Sequence, residues 1–402
     1  MFDFDKPVVR QGTNCVKWDE PSSSLSHPSS LIPLWVADMD FEAAPAIREA
    51  LRKRMEHGVF GYTIVPDSYY DSIINWYQRR HQWHIEREWI QYTTGVVPAI
   101  SAVIKALTMP GEKVLILTPV YNCFFSSIRN NGCEVVESKL KVSSNNTTNE
   151  SDGEQTLLHY EVNWEDFESR CKDEKTTVFL LCNPHNPAGR VWTPEELNRM
   201  NDICQRNGVC VISDEIHCEL VMPGYKFTPF ASINEDCAKN GVICCSPSKS
   251  FNTAGLQIAN IITQNAEWRR RINRAININE ICDVNPFAPV ALEAAYNESE
   301  DWIDALNIYL HDNYQSLLSF FAGHLPELKV FQLEGTYLVW VDITATGMDS
   351  DTLTEKLLKE GDVWVNSGTM YGSEGYIRIN IATQRERLME GLRRIYQVLH
   401  HN

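Results

Sequence analysis

The sequence has no long hydrophobic run. No apolar stretch approaches the roughly 18 residues that a membrane-spanning helix needs, and the opening MFDFD has no basic leader followed by an apolar segment. We therefore expect no membrane association and a cytoplasmic location. At 402 residues, 43% of them hydrophobic, the chain can bury a large core and more naturally forms two domains than one.

Basic residues are in short supply. The chain has 36 Lys and Arg residues against 53 Asp and Glu residues, so its formal net charge is −17. Such a balance repels a phosphate backbone. We expect a small-molecule ligand and no nucleic-acid partner.

Cysteine motifs and glycine-rich nucleotide loops are both missing. The 12 cysteines include no Cys-x-x-Cys pair, which argues against a structural zinc site or a thioredoxin-like redox motif, and we expect reduced thiols and no metal. Neither GxGxxG nor GxxxxGK occurs, so the sequence contains no signature of a dinucleotide site or a P-loop.

From about Val96 onward, short apolar strands alternate with helical patterns. The strands are KVLILTP, TTVFLLCNP, VCVISDEI and GVICCSPSK. A helix at 98–107 precedes the first strand, and another, between the second and third strands, begins at Thr193-Pro194, where Glu196 completes a capping box. Apolar strands separated by helices predict an α/β fold with a parallel sheet covered on both faces.

Chemically capable side chains follow four of these strands. They are Tyr121, Asn186, Asp214 and Lys249. Because ligands of open α/β sheets bind beyond the carboxyl ends of the strands, we expect these four side chains to face one crevice.

The pattern changes near Asn285. A long helical stretch leads into LKVFQLEGTYLVWVDI, a further helix and the strand GYIRINIA, which predicts a smaller α+β domain. We expect an arm at 1–45 that joins the small domain, a large domain at 46–284 and the small domain at 285–402. The polar segment VSSNNTTNESDGEQ, residues 142–155, is interpreted as a mobile surface excursion.

The pair Asp214 and Lys249 suits one cofactor. Pyridoxal 5'-phosphate takes a lysine on its aldehyde as a Schiff base and an acid on its ring nitrogen. The alternative is a structural ion pair, which is common at strand ends.

Donors for the cofactor's phosphate lie before the 98–107 helix. Gly95 permits a close backbone approach, Val96 and Val97 offer free amides, and the helix dipole favours an anion. Ser246, three residues before Lys249, adds a hydroxyl. The alternative is an ordinary loop before a helix.

Several motifs together resemble a known family. PLWVADMDF, FGYT, TGVVPAI, TPVYNCFF, CNPHNPAGRVW, SDEIHCEL, SPSKSFNTAGL, EGTYLVW and RINIA occur in this order. The chain resembles the fold-type I pyridoxal-phosphate enzymes of the aminotransferase class I/II superfamily, and within it the cystathionine β-lyase and cystalysin branch of carbon–sulfur β-lyases. The resemblance implies a large domain with a mainly parallel seven-stranded sheet between helices, a smaller α+β domain and a homodimer with shared active sites.

The resemblance also implies roles for individual residues. Lys249 would bind the cofactor aldehyde and then act as acid and base, and Asp214 would keep the ring nitrogen protonated. The implied contacts are Tyr121, Asn186 and His217 at the ring, Ser246 with the Val96 and Val97 amides at the phosphate, Arg378, Ala37 and Tyr121 at the substrate, and Tyr62 at the neighbouring subunit's site. Taken singly, Tyr121 could be a core aromatic, Tyr62 a packed helix-end residue, Arg378 a surface arginine and His217 a structural histidine.

The implied reaction is α,β-elimination from L-cystathionine, L-cysteine or a related S-substituted cysteine, which releases pyruvate, ammonia and a thiol. Two alternatives stay open: an aminotransferase of a small amino acid, and a regulator of this fold that binds a protein partner. His217 favours the lyase branch, since many aminotransferases have tyrosine there. Gln257, where aminotransferases often carry a phosphate-binding arginine, and Asn122, where cystalysin has a second tyrosine, depart from the related patterns.

Overall fold

The computed structural model describes residues 2–20, 30–149, 153–281 and 283–400. The first elements in chain order are α1 (Val16–Asp19), β1 (Ile32–Pro33), α2 (Pro45–Glu56), α3 (Asp67–His81), β2 (Ile90–Thr93), α4 (Val96–Leu107), β3 (Lys113–Thr118), α5 (Asn122–Asn130) and β4 (Glu134–Lys139). The middle of the chain forms β5 (Lys141–Asn149), β6 (Gly153–Glu161), α6 (Trp164–Cys171), β7 (Thr176–Cys182), α7 (Pro194–Arg206), β8 (Cys210–Asp214), α8 (Glu235–Asn240), β9 (Gly241–Cys245), β10 (Ala259–Ile262) and α9 (Ala266–Asn277). The last part forms α10 (Ala288–Glu298), α11 (Glu300–His324), β11 (Lys329–Val330), β12 (Leu338–Asp342), α12 (Ser350–Gly361), β13 (Val363–Trp364), β14 (Asn366–Ser367), β15 (Tyr376–Asn380) and α13 (Arg385–His400).

The central sheet has seven strands in the order β2-β10-β9-β8-β7-β3-β4. Strands β4, β3, β7, β8 and β9 are parallel, whereas β10 pairs antiparallel with both β9 and β2. The prediction of a mainly parallel seven-stranded sheet is confirmed. The carboxyl ends of the four predicted strands therefore lie along one edge of the sheet, as parallel pairing requires.

Both faces of this sheet are buried. In β3, Val114 and Ile116 pack into one apolar cluster with the α4 residues Ile100 and Val103, while Leu115 and Leu117 join the cluster on the other face. Because successive side chains of a strand point to opposite faces, a continuous apolar run is what a strand covered on both sides needs.

Helix α7 begins with the capping box that its sequence predicts. The Thr193 hydroxyl accepts a hydrogen bond from Glu196 N at 3.2 Å, and Thr193 N donates to the Glu196 carboxylate at 2.9 Å. Pro194 at the first helical position lacks an N–H that would otherwise need a partner.

A second sheet follows α11. Its antiparallel order is β11-β12-β15-β14, and β1 from the N-terminal arm pairs in parallel with β13 beside it. The Asn380 N–H donates to Leu34 O at 2.9 Å, so the arm also bonds to the end of β15. The division into an arm and two domains at 45 and 284 stays a prediction.

The polar segment 142–155 overlaps a β-hairpin, and its mobility stays a prediction. Strand β5 pairs antiparallel with β6, with Val142 opposite Tyr160. The side chains of Leu157 and Tyr160 anchor β6, since both are buried and the Tyr160 ring stacks on Phe331. The sequence of β5 contains few apolar residues, so it gave no alternating signal of a strand. Residues 150–152 lie outside the described part.

Candidate functional site

A cavity of about 390 Å³ opens at the carboxyl edge of the central sheet. Three parts of the chain form its wall: the segments after β3, β7, β8 and β9, the first turn of α4, and residues from the N-terminal arm and the second sheet. The predicted site residues that line it are Ala37, Val96, Val97, Tyr121, Asn186, Asp214, His217, Lys249 and Arg378.

Asp214 and Lys249 come from neighbouring strands. Asp214 ends β8, where it lies opposite Cys244 of β9, and Lys249 follows the turn after β9. Burial raises the pKa of Asp214 to about 7, although a hydrogen bond from Ile216 N, 3.1 Å from Oδ1, and the Lys249 charge favour the ionised form. A cationic partner stabilises the ionised form of a buried carboxyl group that has only one backbone hydrogen bond.

The Lys249 ammonium has a defined acceptor. Nζ donates to Ala37 O at 2.5 Å. Burial lowers the pKa of Lys249 below its ordinary value of 10.5; the Asp38 charge opposes this shift and the Arg378 charge adds to it. The amine is thus easier to deprotonate than a solvent-exposed lysine, which is a property of nucleophilic lysines.

Ser246 is buried and is not part of the cavity wall. Its hydroxyl donates to Ile258 O at 2.6 Å and accepts from Ser248 N at 3.1 Å, so it stabilises the turn that leads to Lys249. Its role as a phosphate ligand stays a prediction.

The start of α4 presents backbone amides to the cavity. Gly95 is the N-cap residue, and Val96 and Val97 belong to the first helical turn, whose N–H groups have no acceptor within a helix. A Cβ on Gly95 would lie 3.4 Å from Pro98 Cδ. This end of α4 combines free donors with the positive end of the helix dipole, which suits an anion.

His217 and Tyr121 present rings to the cavity. His217 Nδ1 is buried and has no hydrogen-bond partner among the described residues, and the ring contacts Tyr337 edge-on at 5.9 Å between centroids. Burial and the charges of Lys249 and Arg378 lower the pKa of His217 to about 3, so the imidazole is neutral. Burial also raises the pKa of Tyr121 well above its usual range.

Arg378 lies on β15 of the second sheet, and its side chain reaches Asn186, which follows β7 of the central sheet. Its Nη2 donates to Trp35 O at 2.7 Å and its Nη1 to Asn186 Oδ1 at 3.2 Å, and its guanidinium lies 4.8 Å from the centre of the Tyr371 ring. Nε is buried and has no partner in the described ranges. The guanidinium is held in place yet retains N–H groups for a carboxylate.

Tyr62 is 98% exposed and is not part of the cavity wall of this chain. It lies between α2 and α3 beside other exposed apolar side chains, which are Val59, Phe60 and Ile64.

Sequence reasoning missed several wall residues from the arm and the second sheet. Asn366 donates through its amide to Trp35 O at 3.0 Å and to the Tyr371 hydroxyl at 2.9 Å, and Met370 lies beside them. Trp35 lies inside the motif PLWVADMDF, which could have indicated it. No local pattern indicates Asn366, Met370 or Tyr371.

Comparison with known proteins identifies the family of the chain. Residues 29–395 match the family described as aminotransferase class I and II. The chain belongs to this family. Cystathionine beta-lyase PatB of Bacillus subtilis (strain 168) is 39% identical over 400 residues, which cover 99% of this chain and 100% of that protein.

Two solved structures of the family superpose closely. A putative aminotransferase from Clostridium difficile 630, with pyridoxal phosphate bound, has a TM-score of 0.92 at 39% identity and full coverage of both chains. Cystalysin from Treponema denticola, which contains a pyridoxal 5'-phosphate cofactor, also has a TM-score of 0.92, at 33% identity with 99% of each chain covered. The predicted family and fold are confirmed, whereas the roles of individual site residues stay predictions.

Proposed function

We propose that this protein is a pyridoxal 5'-phosphate-dependent carbon–sulfur β-lyase. It would cleave L-cystathionine, L-cysteine or related S-substituted cysteines by α,β-elimination to pyruvate, ammonia and a thiol. The observation that carries the proposal is the convergence of Asp214, Lys249 and Arg378 on one cavity. The full-length similarity to a cystathionine β-lyase and to cystalysin supports the lyase reaction.

The residues present fit the cofactor. The buried Asp214 carboxyl suits a protonated ring nitrogen, and the unpartnered His217 Nδ1 with the Asn186 amide suits the ring's phenolic oxygen. Tyr121 would stack on the ring, and the Val96 and Val97 amides would hold the phosphate. Gln257, which also lines the cavity, brings no charge, so the end of α4 would carry most of the phosphate recognition.

When bound, the cofactor supplies an electron sink that acidifies the substrate's α-proton and allows the β-substituent to leave. Residues of the chain transfer the proton and orient the substrate. The lowered pKa of Lys249 favours the neutral amine, which can take the α-proton from the substrate. Arg378 binds the α-carboxylate and so fixes the direction of the α-proton relative to that amine.

An aminotransferase is the second candidate, because one of the two superposed structures is described as a putative aminotransferase. Both reactions use the same lysine for the first proton transfer, so the wall residues do not separate them. The reaction products distinguish a lyase from an aminotransferase.

The test incubates the purified protein with L-cystathionine or L-cysteine and measures pyruvate, ammonia and the sulfur product, which is homocysteine from L-cystathionine and sulfide from L-cysteine. A lyase forms all three without an added keto acid, and Lys249→Ala forms none. Turnover that requires a 2-oxo acid acceptor and yields neither homocysteine nor sulfide would replace the proposal by transamination. The same assay with and without added pyridoxal phosphate tests the cofactor.

The proposal includes a homodimer with shared active sites. Tyr62 is almost fully exposed, and a solvent-facing stretch with Val59, Phe60 and Ile64 favours burial against another chain. Tyr62 would then reach the cavity of the partner subunit.

We also propose a cytoplasmic location and the division 1–45, 46–284 and 285–402. No helix in the described ranges has the length and apolarity to cross a bilayer. The cysteines in the described ranges are free thiols, which fits a reducing compartment.

A further inference from the structure

Side chains hold residues 35–39 of the arm, which form neither a helix nor a strand. Each backbone carbonyl oxygen of this segment accepts at least one hydrogen bond from a side chain. The donors belong to the second sheet, to the turn after β9 and to the arm itself. Side chains, and not a ladder of backbone hydrogen bonds, therefore set the direction in which these oxygens point.

The Ala37 carbonyl oxygen accepts two hydrogen bonds from different parts of the chain. Lys249 Nζ donates to it at 2.5 Å and the Tyr337 hydroxyl donates to it at 2.9 Å. A carbonyl oxygen has two lone pairs, so both of its acceptor positions are occupied. Tyr337 itself is fully buried and lies behind the cavity wall, not in it.

Asn380 fixes the peptide groups on both sides of Ala37. Its amide nitrogen donates to Val36 O at 2.6 Å and to Asp38 O at 2.8 Å. Its Oδ1 accepts from Ala382 N at 2.7 Å, and the side chain is buried. Because both flanking carbonyls are tied to one rigid amide, the Ala37 oxygen is not free to follow the lysine amine.

We propose that Tyr337 is a positioning residue whose hydroxyl occupies one acceptor position of the Ala37 oxygen and so confines the Lys249 amine to the other. The inference rests on the proposed function, in which this amine takes the α-proton. A neutral amine that donates one N–H to a fixed acceptor has few directions left for its lone pair. Proton transfer requires that this lone pair point at the α-proton, so the restriction favours the reaction.

The backbone before Tyr337 is strained, which is consistent with this role. Thr336 has a φ of +70°, in the left-handed region that β-branched residues rarely adopt. Its N–H donates to Leu220 O at 2.7 Å and its Oγ1 accepts from Leu338 N at 3.1 Å, so contacts on both sides maintain the conformation. Such costly conformations cluster at functional sites. Here the strain directs the chain into β12 with the Tyr337 hydroxyl on the Ala37 oxygen.

The first test follows the proton step alone. L-alanine has no leaving group, so the holoenzyme in deuterium oxide can exchange its α-proton without elimination, and proton NMR measures the exchange. Tyr337→Phe removes the hydroxyl and keeps the ring that contacts His217. We expect the exchange rate at saturation to fall by about three- to tenfold. The L-alanine concentration at half-saturation should change by less than about twofold, since the hydroxyl acts on the amine and not on the α-carboxylate.

Tyr314→Phe is the matched control. Tyr314 is buried, and its hydroxyl also donates to a backbone carbonyl at 2.9 Å, that of Phe331, outside the cavity. This variant should keep the wild-type exchange rate. No fall in Tyr337→Phe, an equal fall in both variants, or no exchange by the wild-type protein would overturn the inference. Wild-type exchange without pyruvate from L-cystathionine or L-cysteine would overturn the lyase function, and the comparison of the two variants would still decide the role of Tyr337.

A second measurement requires neither cofactor nor turnover. Ala37-Asp38 is the single Ala-Asp pair in the sequence, so ¹³C in alanine carbonyls and ¹⁵N in aspartate amides together give one NMR signal for this peptide group. A carbonyl carbon moves upfield when its oxygen loses a hydrogen bond. Tyr337→Phe and Lys249→Ala should each move the signal upfield, whereas Tyr314→Phe should leave it in place. An unmoved signal in Tyr337→Phe would overturn the inference.

Discussion

The Lys249 ammonium and the Ala37 carbonyl oxygen lie 2.5 Å apart, in a hydrogen bond between the end of the central sheet and the N-terminal arm. The Tyr337 hydroxyl donates to the same oxygen at 2.9 Å. Asn252, three residues after Lys249, donates through its amide to Met39 O and Phe41 O. The arm is therefore hydrogen-bonded to the segment that contains Lys249 and to Tyr337. When no cofactor is bound, the Lys249 amine has a fixed position.

The first prediction concerns covalent attachment of the cofactor to this amine. Borohydride reduction of the holoenzyme should leave the cofactor bonded to the peptide that contains Lys249, as measured by mass spectrometry. Lys249→Ala should lose both the adduct and the visible absorption band of the lysine-bound cofactor. Lys239→Ala, at an exposed lysine of α8, is the control and should keep both. An adduct on another lysine would contradict the assignment.

A second prediction separates charge from geometry at Arg378. Arg378→Lys keeps one positive charge but loses the planar donor fork and the contact with Tyr371. Because one charge-assisted hydrogen bond is worth roughly 1.5–3 kcal/mol, kcat/KM should fall by about 10- to 100-fold.

KM should carry a large part of this fall, since the α-carboxylate is bound before the proton moves. The matched control is Arg393→Lys at an exposed site of α13, which should leave kcat/KM unchanged. A wild-type kcat/KM in Arg378→Lys would show that this side chain does not bind the carboxylate.

The central sheet was predictable because its inner strands have a strong local signal. β3 and β9 are continuous apolar runs, and the rule for parallel sheets then indicates which side chains follow their carboxyl ends. The β5–β6 hairpin has no such signal. The polar residues of β5 form a strand because their backbone groups pair with those of β6. Buried side chains of β6 then hold the hairpin against the rest of the protein.

The other half of the site depends on pairing between distant segments. Trp35 approaches Arg378 because β1 pairs with β13, and Asn366 approaches it because β14 pairs with β15. Neither pairing leaves a periodic pattern in the sequence, so no argument from spacing identifies these residues. Arg378 was found only through the resemblance of RINIA.

A third prediction tests whether two chains share one site. Tyr62→Ala and Lys249→Ala should each be inactive or nearly so. If the two variants are unfolded and refolded together, half of the dimers should be hybrids with one complete site, and about a quarter of the wild-type activity should return.

Tyr225→Ala provides the control, since it removes another exposed tyrosine and should stay active by itself. No recovery in the mixture, with dimers present by sedimentation, would contradict a shared site. Full activity of Tyr62→Ala by itself would contradict a role for Tyr62.

The last prediction uses the buried carboxyl of Asp214. In the protein without cofactor, burial raises its pKa to about 7, against an ordinary value of 3.8. The folded state therefore binds an extra proton between these values, and the protein loses stability as the pH rises through this window. Asp214→Asn removes this loss and should raise the free energy of unfolding at pH 8 by up to about 4 kcal/mol, with no gain at pH 4.

Glu215 has a pKa raised to about 8 by burial, so both proteins should still lose some stability with rising pH, and the difference between them is the quantity to measure by urea unfolding. Asp71→Asn, at an exposed site of α3, is the control and should give no pH-dependent gain. Under the proposed role of Asp214, addition of the cofactor should favour the wild-type protein, because a protonated ring nitrogen would pair with the carboxylate and not with asparagine. The wild-type protein should then gain more in Tm than Asp214→Asn does. A gain of equal size in both proteins would show that Asp214 does not hold the ring.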